Sequence, residues 1–450
     1  MSVSFREAVG VWARIGLLSF GGPAGQVALM HKELVERRRW IDEERFLHAL
    51  NYCMLLPGPE AQQLAIYIGW LMHKTPGGLV AGVLFVLPGA LAILVLSVLY
   101  AELRALPAVA ALFFGLKAAV VAVVVEAVLR IGKRALKSRL MLAVAASAFV
   151  ALFLLHVPFP LIVLGAGLFG FIGSRLAPAA FPAPKPVAAS AEHATVIDRL
   201  AAAGVLEHTR PNRARALRVL GVCGLLWGLP LLGLGLAFGR ESVFVKEGLF
   251  FSQAAVVTFG GAYAVLAYIA QRAVSDYGWL RPGEMLDGLG LAETTPGPLI
   301  LVLQFVGFLG AYRNPGALSP LAAGALGALI TLWVTFVPCF LWILLGAPYI
   351  EALRGRRSIH AALSAITAAV VGVILNLSLW FGVHVLFRRV GERRWGPLHL
   401  LVPDLYSVDL AATALTALAM LAMFRFKLGL PKTLAASAIL GAAWQLLVAS

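Results

Sequence analysis

The chain has 450 residues, of which 60% are hydrophobic and only 13% are charged. Soluble domains carry about 25% charged residues, so this composition excludes an ordinary soluble domain. Continuous apolar runs, long enough to span a bilayer, predict an all-α polytopic membrane protein, because a lumen-lined barrel would alternate apolar and polar residues. We assign the net charge of +15 to cytoplasmic loops that face anionic lipid, and we expect no nucleic acid partner.

The three cysteines, Cys53, Cys223 and Cys339, lie in apolar segments and show no metal-ligand spacing or disulfide framework. We interpret them as small buried hydrophobic residues. The sequence has no GxxxxGKS/T phosphate-binding motif, which argues against direct drive by ATP, and no flavin or haem motif. No metal and no cofactor are therefore expected.

In chain order, residues 5–29 form a first segment that ends at the Gly21-Gly22-Pro23 break, and residues 31–45 form a charged loop or surface helix. Residues 46–72 are apolar, but Pro57-Gly58-Pro59 lies near their middle, and proline removes a backbone donor and clashes with the preceding turn. We therefore predict two half-helices that meet at a break. Further spans are predicted at 79–100, 107–129, 140–155 and 159–175.

Residues 176–216 are the only long polar stretch. We interpret them as a cytoplasmic linker, disordered in part, between an N-terminal repeat at 1–175 and a C-terminal repeat at 217–450. Spans in the C-terminal repeat are predicted at 217–238, 248–270, 285–312 (broken), 319–346, 360–387, 405–424 and 431–449. The whole chain would have about 10–13 transmembrane helices.

The two repeats are homologous halves. The segment from Phe20 to Pro59 aligns without a gap on the segment from Phe259 to Pro298, an offset of 239 residues (259 minus 20). The alignment places Gly21-Gly22 on Gly260-Gly261, Trp40 on Trp279, and Pro57-Gly58-Pro59 on Pro296-Gly297-Pro298. Internal duplication of this size is typical of secondary transporters.

The basic loops predict an orientation, since Lys and Arg are enriched in cytoplasmic loops. Residues 130–139 carry five basic side chains and no acid, and the linker is basic from Arg210 to Arg218. If both are cytoplasmic, the N-terminus lies inside the cell and the repeats have inverted topology. A basic loop from Arg388 to Arg394 would lie outside on the same count.

The broken helices predict an anion site built from backbone. A half-helix that starts in mid-membrane points N–H groups and about half a positive charge into the break. Thr294 and Thr295 precede a proline and suit a helix start. Each break taken alone is also explained as a packing kink. The substrate-binding candidates from the breaks are Gly21, Gly22, Pro23, Gln26, Pro57, Gly58, Pro59, Gly260, Gly261, Tyr263, Thr294, Thr295, Pro296, Gly297 and Pro298.

Several polar side chains join these candidates. Lys117 lies inside the apolar run 107–129, where a lysine costs about 2.5–3.5 kcal/mol to insert, so we predict that it is a charge partner of the anion. Glu60, Glu126 and Glu293 are candidates for proton coupling, with snorkelling or helix-start stabilisation as the alternatives. The neutral hydrogen-bonding residues Gln62, Gln63 and Gln304 are expected to line the path, whereas His31, His48 and His73 are expected at the surface.

Two long motifs resemble the signatures of the chromate ion transporter family. They are FGGPAGQVALMHKELVERRRWIDEERFLHALNYCMLLPGPEAQQLAIYIGW at 20–70 and LDGLGLAETTPGPLILVLQFVGF at 286–308. The resemblance is to the long, two-domain members and covers nearly the whole chain apart from the linker. It implies a multi-pass transporter of the cytoplasmic (inner) membrane that expels chromate and gives chromate resistance.

We therefore predict a secondary transporter in the lipid bilayer, not an enzyme, that exports chromate under the membrane potential, a proton gradient or both. A homodimer is compatible with this plan. One alternative is a carrier of sulfate or of tetrahedral oxyanions in general. A membrane-embedded redox enzyme is a second alternative, and a membrane scaffold without transport is a third.

Overall fold

The structure is a computed structural model that describes residues 3–449 except 21, 55, 182–194, 260, 261, 282, 350–356, 396 and 397. Within these residues it has seventeen α-helices and one two-stranded β-ribbon. Six of the helices are long and apolar enough to cross a membrane. The prediction of an all-α polytopic membrane protein is confirmed, apart from the small ribbon.

The first nine helices are α1 (Phe5–Leu18), α2 (Gly22–His31), α3 (Glu43–Cys53), α4 (Glu60–Leu103), α5 (Pro107–Ala135), α6 (Arg139–Phe153), α7 (Phe159–Leu176), α8 (Val196–Ala202) and α9 (Arg213–Phe238). The other eight are α10 (Val243–Val257), α11 (Ala262–Gln271), α12 (Glu284–Thr294), α13 (Val302–Arg313), α14 (Pro320–Gly346), α15 (Arg357–Leu386), α16 (Leu410–Phe424) and α17 (Leu430–Ala449). The ribbon pairs β1 (Val390–Trp395) antiparallel with β2 (Leu398–Pro403).

The two copies of the repeat share unusual local structure. Each has a π-helical turn, at Lys32–Arg37 in the first copy and at Arg272–Asp276 in the second. A residue with positive φ and then a buried tryptophan follow each turn, as Arg39 and Trp40 in the first copy and as Gly278 and Trp279 in the second. All of these positions differ by the same 239 residues or fall within one residue of that offset, so the alignment of the repeats holds at the level of the backbone.

The chain forms two compact units, and each draws on both repeats. Unit 1 consists of Met1–Leu94, Ala183–Ala262 and Thr295–Arg356, and unit 2 consists of Val95–Pro182, Tyr263–Thr294 and Arg357–Ser450. The two compact units therefore do not coincide with the two repeats.

In unit 1, helices α9, α10, α13 and α14 pack against one another. The early part of α4 belongs to the same unit and is a helical hairpin, because His73 and Lys74 have non-helical φ and ψ. Its two arms lie side by side, so closely that a Cβ on Gly78 would come within 3.1 Å of the Ile66 carbonyl oxygen. The prediction of separate apolar segments before and after residues 73–78 is thus confirmed.

In unit 2, α5 packs against α12, α15, α16 and α17, and α15 also packs against α6 and α7. The α6–α7 turn occurs at residues 154–158, where the two short spans were predicted to turn. The small ribbon was not predicted, and it occupies residues 390–403, so α16 begins five residues later than the predicted span at 405.

The described part of the linker is folded, and disorder in the rest of the linker stays a prediction. Helix α8 belongs to it, and Ile197 is fully buried in unit 1. The N–H groups of Val196 and Ile197 donate to the carbonyls of Arg39 and Trp40, both at 3.1 Å. Two buried aliphatic residues in an otherwise polar stretch gave too weak a signal to predict this contact. Residues 182–194 of the linker lie outside the described part of the chain.

Candidate functional site

The first Pro-Gly-Pro sequence breaks the chain between α3 and α4, as predicted. Gly58 has a φ of +121°, a conformation that favours glycine. A Cβ at this position would lie 2.8 Å from Cys339 Sγ and 2.9 Å from Gln63 Nε2. Gln63 Nε2 also donates to the Pro57 carbonyl at 2.7 Å. Glycine is required here by both the backbone conformation and the close packing.

The second Pro-Gly-Pro sequence has the same geometry. Gly297 has a φ of +93°, and a Cβ there would lie 3.0 Å from Leu301 Cδ1 and 3.5 Å from Gly89 Cα. The amide of Gln26, which is buried, donates to the Gly297 carbonyl at 2.6 Å and to the Ser19 carbonyl at 3.4 Å. The structure therefore brings Gln26 to the second break, as part of the set that was predicted to act together.

Each break is hydrogen-bonded to the other copy of the repeat. Gly58 N–H donates to the Thr258 carbonyl at 2.8 Å, and Gly297 N–H donates to the Ser19 carbonyl at 2.9 Å. Ser19 and Thr258 are themselves repeat equivalents, and each hydroxyl donates to the carbonyl four residues earlier at 2.5 Å. We call this arrangement the crossed breaks. Because both glycine N–H groups already have acceptors, neither is available to an anion in this conformation.

The threonine hydroxyls play a different part from the one expected. Thr294 was predicted to start a helix, but its hydroxyl donates backwards to the Gly290 and Leu291 carbonyls at 3.1 and 2.9 Å. Thr294 is the last residue of α12. The next helical segment begins only at Leu299 as a 3₁₀ turn. The cap of that next segment is Pro298, so the predicted threonine cap is wrong.

The start of α4 combines backbone N–H groups that lack an acceptor within the helix with a buried side-chain amide that has no partner among the described residues. Its first helical hydrogen bond runs from Gln63 N–H to the Pro59 carbonyl, so the preceding N–H groups, of Glu60, Ala61 and Gln62, have no acceptor within the helix. Gln62 is fully buried, and neither its amide nitrogen nor its amide oxygen has a hydrogen-bond partner. A buried amide without partners is costly, so Gln62 is a candidate for contact with a ligand.

The start of the segment after the second break is different in character. The residues that follow Pro298 are Leu299, Ile300 and Leu301, all apolar and buried. Leu301 is the repeat equivalent of Gln62 (62 plus 239). The first polar residue after them is Gln304 of α13; its amide nitrogen donates to the Ala90 carbonyl at 3.1 Å and its oxygen has no partner. The crossed breaks are symmetric in backbone, but only the α4 start presents a free side-chain amide.

In unit 2, Lys117 lies beside a buried acid that sequence reasoning missed. Lys117 Nζ is 3.4 Å from Asp287 Oδ1, and the Asp287 side chain is fully buried. Tyr100 donates a hydrogen bond to Asp287 Oδ2 at 2.6 Å. The charge of Lys117 is thus balanced within the protein in this conformation, and its direct role toward an anion stays a prediction.

Arg104 extends the same cluster. Its guanidinium is 3.2 Å from Glu284 Oε1 and 3.7 Å from Asp287 Oδ2, and Glu284 is also fully buried. Two cations and two acids therefore form a neutral group, which we call the ion-pair cluster. A signal for it was present in the sequence, because an aspartate inside a predicted apolar span marks a functional candidate in the same way as a lysine does.

Two of the predicted coupling residues, Glu293 and Glu126, each contact a specific side chain. Tyr263 donates a hydrogen bond to Glu293, and both side chains are buried in unit 2. Glu126 forms an ion pair with Arg130 at 3.3 Å, one helical turn away, and both are about one-third exposed. Glu60 is the first residue of α4. The structure thus joins Tyr263 and Glu293, which the sequence did not connect.

The remaining predicted residues are the other glycine and proline residues of the breaks and the histidines. Gly22 has a φ of +70° and begins α2 with Pro23, as expected for a break. Gly21, Gly260 and Gly261 lie outside the described residues. His31 contacts Glu36 and Glu43 in the charged loop, and His73 Nε2 lies 3.0 Å from the Val3 carbonyl at the turn of the α4 hairpin.

Comparison with known proteins identifies the family. A family model described as chromate transporter matches residues 6–171 and 246–442. A chromate transport protein of Pseudomonas aeruginosa is 32% identical over 383 residues, which are 83% of this chain and 80% of the relative. A chromate transport protein of Cupriavidus metallidurans is 28% identical over 439 residues, 97% of this chain and 92% of the relative. No solved structure matches. The matched regions fall one in each repeat, and the chain belongs to the chromate transporter family.

Proposed function

We propose that this multi-pass membrane protein transports chromate out of the cell across the inner membrane. Its family membership supports chromate as the cargo. The observation that carries the site is the buried and unpartnered amide of Gln62 in the first turn of α4, next to a Pro-Gly-Pro break.

Chromate is a small tetrahedral dianion, and the start of α4 offers what such an anion needs. The first N–H groups of a helix, together with its dipole, bind oxyanions. Gln62 Nε2 adds a donor that has no competing partner. Helix α3 ends at Cys53, and Gly58 with its positive φ lies between α3 and α4, so the α4 start does not continue an earlier helical turn. We place the anion at this start, with the backbone N–H groups of Ala61 and Gln62 and the side-chain amide of Gln62 as donors.

The orientation supports export under the membrane potential. The basic segment Arg210–Arg218 precedes and begins α9, and the positive-inside rule assigns it to the cytoplasm. The two repeats would then be inverted relative to each other. Moving a dianion out of a cell that is negative inside is favoured by about 4–5 kcal/mol per 100 mV. Chromate resistance would follow from this export.

Labelled chromate uptake into inside-out membrane vesicles tests the proposal. We expect uptake that increases when the vesicle interior is made positive, and that excess sulfate inhibits without being carried. Sulfate carried as well as chromate would favour the alternative of a general oxyanion carrier. Uptake no greater than in vesicles without the protein would contradict the proposal.

A further inference from the structure

Glu247 is a buried carboxylate that neither the breaks nor the ion-pair cluster uses. It lies in α10, in unit 1, and its exposure is 0%. Neither carboxylate oxygen has a hydrogen-bond partner of acceptable geometry. The repeat equivalent of Glu247 is Ala8 (247 minus 239), so this acid is particular to the second copy.

The neighbouring helices leave room for this carboxylate. Glu247 Oε2 lies over Gly327 of α14, where a Cβ would come within 2.7 Å of it. The same Cβ would lie 2.6 Å from Ala311 Cβ and 2.5 Å from the Gly307 carbonyl oxygen, both on α13. Thr331, one turn along α14, is also buried and its hydroxyl has no partner. Glu247 therefore faces a tight crossing of α13 and α14 that contains a second unsatisfied polar group.

The titratable side chains of the helices around Glu247, which are α9, α10, α13 and α14, form no ion pair with it in the described part of the chain. Lys246, on α10 itself, pairs with the exposed Glu241 at 3.0 Å. The titratable side chains of α13 are Tyr312 and Arg313, its last two residues, and that of α14 is Cys339, twelve residues beyond Gly327. The basic residues of α9 are at its opposite, N-terminal end. Among the described residues, none of these groups forms an ion pair with Glu247.

This environment favours the neutral, protonated carboxyl, because an ionised carboxylate without a partner is strongly disfavoured away from water. The ionised carboxylate is stable only in a conformation that exposes it to water. A transporter with alternating access supplies such a change, since a buried site in one state opens to water in the other. Protonation and deprotonation would then accompany the two states.

We propose that Glu247 is the proton-binding site that couples chromate export to the proton gradient; this rests on the proposed function. Its carboxylate takes up one proton from water on the outer side, carries it in the buried state shown by the structure, and releases it to water on the inner side while the dianion moves outward. Glu247 is five residues into α10, within about 8 Å of the helix start at 1.5 Å per residue. That start lies at the end of the α9–α10 pair opposite to the basic cytoplasmic segment, so the outer face is the nearer one.

The experiment uses purified full-length protein in liposomes that contain a pH indicator, with the membrane potential clamped at zero. For the unsubstituted protein we expect an acid-inside gradient to drive chromate uptake, with protons leaving the vesicles in a fixed ratio to chromate. For Glu247→Gln we expect at least a tenfold loss of this gradient-driven uptake, whereas chromate–chromate exchange without a gradient stays within about twofold, since the neutral amide mimics the protonated state. The matched control is Glu241→Gln, at a side chain that is 91% exposed, and it should change neither rate.

The outcomes separate the two proposals. Gradient-driven uptake that survives in Glu247→Gln would overturn the coupling role. Chromate uptake by the unsubstituted protein without proton movement would overturn it as well, whether or not any variant folds. Absence of both exchange and uptake in the unsubstituted protein would contradict chromate transport itself.

Discussion

The crossed breaks of unit 1 and the ion-pair cluster of unit 2 relate to the internal repeat in opposite ways. In the crossed breaks, Gly58 and Gly297 are repeat equivalents, both have positive φ, and both donate to equivalent carbonyls. In the ion-pair cluster, Asp287 corresponds to His48 and Lys117 aligns with Thr367. Duplication has kept the backbone geometry that glycine and proline enforce, whereas the aspartate at 287 and the lysine at 117 are each present in one copy only.

The comparison extends to single positions. Glu284, buried in the ion-pair cluster, corresponds to Arg45 (284 minus 239) of the first copy. Arg45 instead pairs with Asp198 of α8 at 3.1 Å, where both side chains are about one-third exposed. One repeat position thus carries opposite charges in two environments. We expect the features shared by both repeats to maintain the broken helices. We expect the charged side chains that differ between the repeats to give the two halves different roles during transport.

The largest effect is expected from breaking the ion-pair cluster on one side. Lys117→Thr, which installs the residue of the other copy, leaves the fully buried Asp287 with only Arg104 as a cation. Removing one partner of a buried ion pair costs about 3–5 kcal/mol. We expect a loss of that size in the free energy of unfolding, measured in detergent, and a smaller loss when Asp287→Asn is combined with it. The control Lys246→Thr, at an exposed pair, should change stability little. Equal losses of unfolding free energy in Lys117→Thr and Lys246→Thr would contradict the buried ion pair.

A smaller loss is expected from the crossed breaks. Gly58→Ala places a Cβ on a residue with φ of +121° and within 3 Å of Cys339 Sγ. Such backbone strain costs about 1–3 kcal/mol before any clash is counted. Gly297→Ala should behave alike, because its φ is +93°. Gly221→Ala is the control, since a Cβ there meets nothing within 4 Å in α9, and it should stabilise by about 0.5–1 kcal/mol. If only one of the two break variants is destabilised, the breaks are not equivalent.

The smallest effect belongs to the Arg45–Asp198 contact, the exposed counterpart of the ion-pair cluster. Burial alone would raise the pKa of Asp198, but hydrogen bonds from Thr195 and the charge of Arg45 outweigh it and lower that pKa below its usual value. A carboxyl with a lowered folded pKa stabilises the fold above its unfolded value of about 3.9, and the benefit is lost as the pH falls through the folded value. Asp198→Asn should therefore lower the melting temperature at pH 7 and do so less at pH 3. If the difference in melting temperature between Asp198→Asn and the unsubstituted protein does not change with pH, the charge of Asp198 is not its source.

The sequence was sufficient for the features that backbone chemistry dictates. Proline and glycine at 57–59 and 296–298 locate both breaks, and long apolar runs locate the spanning helices. It did not locate the buried acids Asp287, Glu284 and Glu247. An acid in an apolar run, such as Asp287, does not reveal which residue will face it, and Glu284 and Glu247 lie one residue before the predicted spans at 285–312 and 248–270. It also misassigned Thr294, since a threonine near a proline can end one helix or begin the next, and here the Thr294 hydroxyl donates back to the helix that it ends.

The central claim is that chromate binds at the start of α4, and chromate uptake by a Gln62→Leu variant tests it most directly. Leucine is the residue of the other copy at this position and removes the only buried side-chain amide without partners on either atom among the described residues. The matched control is Gln253→Leu, at an exposed glutamine of α10 in the same unit. In inside-out vesicles with equal amounts of protein, we expect Gln62→Leu to lose at least tenfold in uptake at low chromate and Gln253→Leu to match the unsubstituted protein. Unchanged uptake by Gln62→Leu would contradict the site.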